Sequence, residues 1–248
     1  MTPAALLLAL LAGWEAYARL SGVADIVLPA PSAILTALYE DRVLLWSNFT
    51  VTAGEIGLGM LVALVLGLAC AVAIHFSGTL RRALYPLLVS SQTIPIVLVA
   101  PLLVAWWGFG IVPKLAIVAL ICFFPIVVST LDALQRVDAD LGKLMRTFGG
   151  SRWQTFRMVE APAALPGLLT GAKLSVAVAS IGAVFAEMAG ADAGLGNLLL
   201  KAIPSLETPR AFAAVLILSA FALTLFGLLA FAERRLVPWA RQPRGTAP

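Results

Sequence analysis

The stretch that decides the fold runs from Arg136 to Pro166 and reads RVDADLGKLMRTFGGSRWQTFRMVEAPAALP. It carries five Lys or Arg residues and lies between two apolar segments, residues 112–131 and 167–188. Connections between helices in bundles usually take about 2–8 residues. A polar connection this long, with apolar residues at helical spacing, is therefore predicted to form structure of its own.

Composition places the segments around this stretch in a lipid bilayer. Of the 248 residues, 61% are apolar and 12% are charged, and the mean hydropathy is +0.98; soluble domains have about 25% charged residues. Six apolar segments approach the roughly 20 residues that a spanning helix needs: Pro3–Leu20, Ala53–Ile74, Leu84–Trp107, Val112–Leu131, Gly167–Met188 and Ala211–Ala232. Because these runs are continuously apolar, without the alternation of barrel strands, we predict an all-α, polytopic membrane protein. Residues 1–248 are expected to form one transmembrane domain, with residues 136–166 as a loop within it.

The distribution of positive charge predicts the orientation. If the N-terminus is cytoplasmic, the inner segments hold eleven Lys or Arg residues and the outer ones hold four, with Arg19 and Lys173 left out because they lie near span ends. The inner set is Arg81, Arg82, Arg136, Lys143, Arg146, Arg152, Arg157, Arg234, Arg235, Arg241 and Arg244, and the outer set is Arg42, Lys114, Lys201 and Arg210. Since cytoplasmic loops carry the excess of Lys and Arg, both termini and the 136–166 loop are expected in the cytoplasm. Topology thus explains the net charge of +4, and no nucleic-acid partner is expected.

The N-terminal region leaves two interpretations open. Ala16-Tyr17-Ala18 has the pattern of a signal-peptide cleavage site, whereas the absence of Lys and Arg before it favours a retained first span. After Leu28-Pro29-Ala30-Pro31-Ser32, an amphipathic stretch from Ala33 to Trp46 is predicted to lie on the outer membrane surface, with Ser32 as its cap.

The polar stretch itself is predicted to hold two short helices around a glycine hinge. Asp138 or Asp140 can cap the first helix, and Gly149-Gly150 tolerates the positive φ that ends it. Ser151 can cap a second helix from Arg152 to Val159, which Pro162 is expected to stop. On the first helix one face gathers the apolar residues Leu141, Leu144, Met145 and Phe148. Their spacing of i, i+3, i+4 and i+7 is typical of a helix that enters an apolar groove.

This arrangement resembles the EAA loop in the permease subunits of ABC importers. The family pattern of Gly, nine residues, Ile, any residue, Leu and Pro corresponds here to Gly149, Val159, Ala161 and Pro162. Lys143-Leu144-Met145 occupies the positions of the Glu-Ala-Ala triplet. The runs Phe123-Phe124-Pro125 and Gly182–Glu187 resemble permeases of the nitrate, sulfonate and taurine group, and within it those for thiamine-precursor pyrimidines or riboflavin.

The resemblance implies a function and a set of partners. It implies the pathway-forming subunit of an ATP-driven importer in the bacterial inner membrane, a second copy of the chain, an ATPase subunit and an extracytoplasmic solute-binding protein. The ATPase would dock on Leu141, Leu144, Met145, Phe148, Gly149, Arg152, Val159 and Pro162. Because the sequence contains no G-x4-G-K-[S/T] phosphate loop, ATP and Mg²⁺ are expected on the partner and no cofactor in this chain.

Candidates for the substrate pathway lie in the fifth apolar segment. Small residues recur there at every fourth position, namely Gly167, Gly171, Ser175, Ala179 and Ala183. They could pack within the chain, face a second copy, or line the pathway, and we take Gly171, Ser175 and Ala179 as pathway candidates. Glu187, a charge near the outer end of this segment, could contact substrate or the binding protein, or be structural.

Three alternatives remain at this point. The 136–166 loop could be a basic amphipathic segment on the inner leaflet. An ion-coupled secondary transporter would need buried ionisable residues at mid-membrane and inverted halves, and the sequence pattern indicates neither. An intramembrane enzyme would need clustered His, Asp or Glu, whereas the 13 acidic residues and single histidine fall mostly in predicted loops.

Overall fold

The computed structural model describes residues 3–241, which form eleven α-helices and no strand. The helices are α1 (Pro3–Leu20), α2 (Pro31–Glu40), α3 (Arg42–Phe76), α4 (Gly78–Ser91), α5 (Ile96–Trp107), α6 (Ile111–Gln135), α7 (Ala139–Thr147), α8 (Arg152–Thr155), α9 (Ala161–Gly190), α10 (Leu195–Ala202) and α11 (Thr208–Leu236). The all-α prediction is confirmed for this part of the chain. Arg244 and both chain ends, on which the orientation prediction partly rests, lie outside the described residues.

Four helical stretches are long and apolar enough to cross a membrane: α3, α6, residues 152–190 and α11. The pair α4 and α5 forms a fifth candidate that is bent by 100° at its break. Helix α1 matches the predicted first segment residue for residue, but Glu15 and Arg19 interrupt its apolar run and it is not among these candidates. The structure thus supports four or five spans, and the count of six stays a prediction.

The third predicted span, Leu84–Trp107, is wrong as a single helix. The chain leaves the helix after Ser91 and enters the next at Ile96, with Pro95 at the N-cap. A proline disfavours helical geometry in the residue before it. The Thr93 hydroxyl also donates to the Ser90 carbonyl at 2.8 Å, a local bond that competes with the helix.

The amphipathic stretch Ala33–Trp46 is also corrected, because it is divided at Asp41 between α2 and the first turn of α3. Ser32 lies inside α2 and is not its cap. Its backbone N–H and its hydroxyl both donate to the Glu15 carboxylate, at 3.0 and 2.8 Å. This contact ties α2 to α1.

Pro162 does not stop the second helix of the polar stretch, contrary to the prediction. A π-helical turn, Phe156–Glu160, joins α8 to α9, so that residues 152–190 form one continuous helical stretch. The Ala161 N–H donates to the Phe156 carbonyl, five residues back, so the i→i−4 bonding is already interrupted where Pro162 lacks its N–H. The wider π turn accommodates it without a break.

The core lies along α6, which packs between α3 and α9. Glycines bring the helix axes close: a Cβ added at Gly59 would lie 2.6 Å from Val118, and one added at Gly171 would lie 2.7 Å from the Pro125 carbonyl oxygen. The buried residues around these contacts are Ile56, Ala63, Val118, Ala119, Cys122, Ile126, Ala179 and Ala183. Such close approach suits a membrane protein, where dispersion contacts between helices replace the hydrophobic effect.

The bundle has two ends with different character. At one, which we call the loop end, Arg81 donates to Gln135 at 2.8 Å, and α7 and α8 lie beyond it. At the other, the α10 end, Arg210 pairs with Asp41 at 2.6 Å, and α10 packs with α2, α3 and α11. Which end faces the cytoplasm stays a prediction from charge.

Candidate functional site

The first helix of the polar stretch, α7, is capped as predicted and presents an apolar face to solvent. The Asp138 carboxylate accepts the Asp140 N–H at 2.9 Å. Leu141, Leu144 and Phe148 are 43%, 52% and 79% exposed. Met145, the fourth residue of the face, is half-buried. Exposure this large on adjacent residues leaves an apolar surface without a partner in the described chain.

The turn after α7 is a Schellman motif built on Gly149. Its φ is +76°, in the left-handed region. The Gly149 N–H donates to the Arg146 carbonyl at 3.0 Å, and the Gly150 N–H donates to the Met145 carbonyl at 2.9 Å. These two bonds satisfy carbonyls that the helix end would leave free. The glycine break predicted from the sequence is therefore confirmed, and it fixes the angle between α7 and α8.

The second helix, α8, begins with a reciprocal capping box. The Ser151 hydroxyl accepts the Gln154 N–H at 3.2 Å, and the Gln154 side chain accepts the Ser151 N–H at 2.7 Å. The N-terminal start that the sequence predicted at Ser151 is confirmed.

An aromatic cluster attaches α8 to the end of α3. The ring centroids of Trp153 and Phe156 lie 5.4 Å apart, and Phe156 lies 5.1 Å from Phe76. The Arg152 guanidinium lies 4.9 Å from the Phe76 ring centroid. Beside them, Nε2 of His75 lies 2.7 Å from a Glu160 carboxylate oxygen. The sequence pattern did not indicate this cluster, which holds α8 rigidly to α3 and α9.

The remaining predicted coupling residues lie where the loop joins α9. Val159 is half-buried in the π turn, and Pro162 is exposed in the turn that follows it. Both belong to the continuous helix and neither belongs to the apolar face of α7. The structure thus brings the predicted loop residues together in two groups, an exposed one on α7 and an anchored one on 152–162.

Three pathway candidates lie in the interior of the chain. Gly171, Ser175 and Ala179 are buried where α9 meets α6. The Ser175 hydroxyl donates to the Cys122 carbonyl at 2.9 Å. Of the three interpretations of the small-residue stripe, this packing matches contact within one chain.

Glu187 is fully buried at the α10 end. One carboxylate oxygen accepts the Thr52 hydroxyl at 2.6 Å and the other accepts the Gly196 N–H. The neighbouring N–H groups are bound as well: Gly194 donates to Asn48 at 2.7 Å, and Leu195 donates to Thr52 at 2.8 Å. Glu187 therefore helps to cap α10, and in this conformation no part of its side chain is open to a solute.

Comparison with known proteins identifies the family. Residues 63–238 match the family model of the binding-protein-dependent transport system inner membrane component. The chain belongs to this family. It is thus a permease subunit of an ABC importer and a multi-pass inner-membrane protein, as the loop motif predicted.

The similarity to individual relatives covers almost the whole permease. It is 33% identical to the formylaminopyrimidine transport permease of Halalkalibacterium halodurans, over 98% of this chain and 97% of that protein. It is 36% identical to the riboflavin transport system permease of Chloroflexus aurantiacus, over 94% and 88%. In fold it is similar to the inward-facing MetNI methionine ABC transporter, with a TM-score of 0.64, 21% identity, and coverage of 81% of this chain and 98% of that one.

The permease also contains buried charges that sequence reasoning missed. Nζ of Lys114 lies 2.7 Å from Oε1 of Glu55, and these residues are only 8% and 3% exposed. Lys173 pairs with Glu233 at 2.6 Å. Lys114 lies in the first turn of α6, and neither pairing was predicted from the sequence. Glu55 lies 59 positions from Lys114 in the sequence, and Glu233 lies 60 positions from Lys173. The only signal in the sequence is therefore that each lysine is a single charge within an apolar run.

Proposed function

We propose that residues 136–166 are the coupling element of this importer, through which a separate ATPase subunit moves the spanning helices. The observation that carries the proposal is the contrast between α7 and α8. Helix α7 exposes Leu141, Leu144 and Phe148, whereas α8 is held to α3 by the cluster around Phe76. A docking face joined by a fixed turn to an anchored helix can transmit a displacement.

The chemistry of the α7 face fits an apolar groove. An amphipathic helix binds such a groove through residues at i, i+3, i+4 and i+7. Leu141, Leu144, Met145 and Phe148 follow that spacing. The rim charges Arg146 and Arg152 would contact polar groups around the groove, and the Gly149 turn would set the docking angle.

The partners and orientation follow from the same proposal. The loop end lies in the cytoplasm with both termini, as the charge asymmetry predicts. ATP and Mg²⁺ are bound by the ATPase subunit, and a solute-binding protein docks at the α10 end. Two copies of the permease enclose the pathway, since one chain with four or five candidate spans forms one half of such an assembly.

The solute is a small organic compound of the kind transported by this group of permeases. Sulfonates, nitrate-like anions, thiamine-precursor pyrimidines and riboflavin are the candidates. The relatives described above, at 33% and 36% identity, are permeases for a formylaminopyrimidine and for riboflavin, which supports the last two.

The test is co-purification of the ATPase subunit with a Leu144→Asp variant. The Asp side chain would place an unpaired charge in an apolar groove, which costs more than about 1.4 kcal/mol of binding free energy. Since about 1.4 kcal/mol corresponds to a tenfold change in affinity, we expect the amount of ATPase recovered per permease to fall at least about tenfold. Lys143→Asp is the control, because it introduces the same residue on the opposite, exposed face of α7. Equal recovery with Leu144→Asp and Lys143→Asp would remove α7 as the docking face.

A further inference from the structure

The break between α4 and α5 exposes polar groups that the proposed coupling does not use. Ser91, Gln92 and Thr93 are all exposed, and the two helices meet there at 100°. Beside the break lies a cavity of about 420 Å³. It is lined by Ser91, Gln92, Ile94, Pro95, Ile96, Val99, Leu120 and Ile121.

This break lies at membrane depth. The cavity wall includes Leu120 and Ile121, which lie near the middle of α6 (Ile111–Gln135). At 1.5 Å per residue, Leu120 is about 14 Å along the axis from Ile111 and about 22 Å from Gln135. The hydrocarbon core of a bilayer is about 30 Å thick, so the break falls well inside it.

Several acceptor oxygens at the break receive no hydrogen bond from residues 3–241. The hydroxyls of Ser91 and Thr93 donate to backbone carbonyls at 2.7 and 2.8 Å. The Gln92 amide nitrogen donates only to the Ser91 hydroxyl at 3.2 Å. No donor among the described residues reaches the Gln92 side-chain oxygen or the carbonyl oxygens of residues 92–94.

Lipid cannot cover such a surface. Non-helical backbone at membrane depth is tolerated only where it is buried in protein or lines a water-filled cavity. The break is exposed in one copy of the chain, so a second copy, water or solute must cover it.

We propose that the Ser91–Pro95 break lines the aqueous substrate pathway between two copies of the permease and contacts an uncharged, hydrogen-bonding ring compound there. The inference rests on the proposed two-copy importer, and it names the residues that form the wall of its pathway. One copy supplies one wall, and the same break in the second copy supplies the opposite one.

The charges of the chain favour an uncharged solute over a sulfonate. No Lys or Arg lines the cavity among the described residues. The lysines at buried and half-buried positions in the apolar helices, Lys114 and Lys173, are already paired with Glu55 and Glu233. The Gln92 amide both donates and accepts hydrogen bonds, and Ile94, Val99 and Ile121 offer apolar surface to a ring face.

The experiment measures how fast water-borne thiol reagents reach Gln92→Cys. The variant is made in a Cys70→Ala/Cys122→Ala background, co-expressed with its ATPase, in membranes opened to reagent from both sides. Leu223→Cys is the control, because Leu223 is 72% exposed on unbroken helix α11. We expect a charged methanethiosulfonate to label Gln92→Cys at least about tenfold faster than Leu223→Cys, because only a thiol in water ionises and reacts readily.

The sign of the reagent tests the class of solute. If the wall carries no net field, the ratio of the cationic to the anionic labelling rate at Gln92→Cys should equal the ratio measured with free cysteine, to within about tenfold. Tenfold is the threshold because electrostatic focusing in clefts changes rates by about 10-fold or more. Labelling no faster than at Leu223→Cys would place the break in lipid or in a dry contact and overturn the inference. A larger preference for the anionic reagent would instead make this wall an anion pathway and overturn the uncharged class. Failure of the two-copy importer itself would show separately, as a mass of the purified complex with its ATPase that fits only one copy of the permease.

Discussion

Oε1 of Glu187 lies 2.6 Å from the hydroxyl oxygen of Thr52, a residue 135 positions earlier in the chain. Through this one contact the end of α9 is fixed to α3. Since the same carboxylate accepts the Gly196 N–H, α10 is fixed as well. A charge that looked available for a solute is thus a structural connection between three helices.

We predict that Glu187→Ala destabilises the permease by about 1–3 kcal/mol, because it leaves the Gly196 N–H buried without an acceptor, whereas the Thr52 hydroxyl can still donate to the Asn48 carbonyl at 3.2 Å. Glu187→Gln should cost less, since the amide oxygen can still accept one of these bonds. Thermal unfolding of the purified protein in detergent measures both. Glu40→Ala, at an exposed position of α2, is the control. A melting temperature for Glu187→Ala equal to that of Glu40→Ala would contradict the structural role.

The Glu55–Lys114 pair leads to a second prediction. Lys114→Met should destabilise the protein by about 3–5 kcal/mol, because it leaves the Glu55 carboxylate buried and uncompensated. The double variant Glu55→Leu/Lys114→Met should be more stable than Lys114→Met alone, since no buried charge remains. The same thermal unfolding measurement decides the order. If the double variant were the less stable of the two, an uncompensated Glu55 charge would not be the cause of the loss.

Two glycines in similar helices are expected to respond in opposite directions. Gly171→Ala would place a Cβ 2.7 Å from the Pro125 carbonyl oxygen, whereas a Cβ at Gly227 in α11 meets nothing within 4 Å. Overpacking typically costs about 1–3 kcal/mol, and replacing glycine by alanine in an open helix position gains up to about 1 kcal/mol. We therefore expect Gly171→Ala to lower the melting temperature and Gly227→Ala to leave it unchanged or raise it. A similar response at both sites would contradict the close packing of α9 on α6.

Gly149 gives a prediction about backbone geometry alone. A Cβ at this position meets nothing within 4 Å, but φ is +76°, so only conformational strain is introduced. Strain of about 1–3 kcal/mol is expected for Gly149→Val and less for Gly149→Asn, since asparagine tolerates the left-handed region. The amount of ATPase that co-purifies should be highest for the unmodified chain, lower for Gly149→Asn and lowest for Gly149→Val. Gly78→Val, also in open space at the loop end but without positive φ, should retain the partner.

The sequence predicted the features that depend on neighbouring residues. Asp138, Gly149 and Ser151 act within a few positions of themselves, so the order of residues alone locates the caps and the turn of the polar stretch. The prediction for Pro162 was wrong because proline ends a helix only when its N–H is needed, and the π turn Phe156–Glu160 interrupts the i→i−4 bonding just before it.

Features that depend on distant residues could not be predicted. Pro86 and Pro101 lie inside continuous helices while Pro95 lies at a break, so proline alone does not decide where a span bends. Similarly, Lys114 was counted as an outer-loop charge, because nothing near it in the sequence indicates Glu55. Such pairs depend on how α3 and α6 pack.

The continuous helical stretch from Arg152 to Gly190 has a geometric consequence. Its 39 residues span about 58 Å at a rise of 1.5 Å per residue. A tilt of roughly 5° about its midpoint would move each end by about 2.5 Å in opposite directions, while no backbone hydrogen bond need break. One end of this helical stretch carries the aromatic cluster at α8, and the other end carries Glu187. A displacement of the loop end would therefore displace the N-terminus of α10 in the opposite direction. In the proposed coupling, the size of this displacement would depend on the length of a single helical stretch.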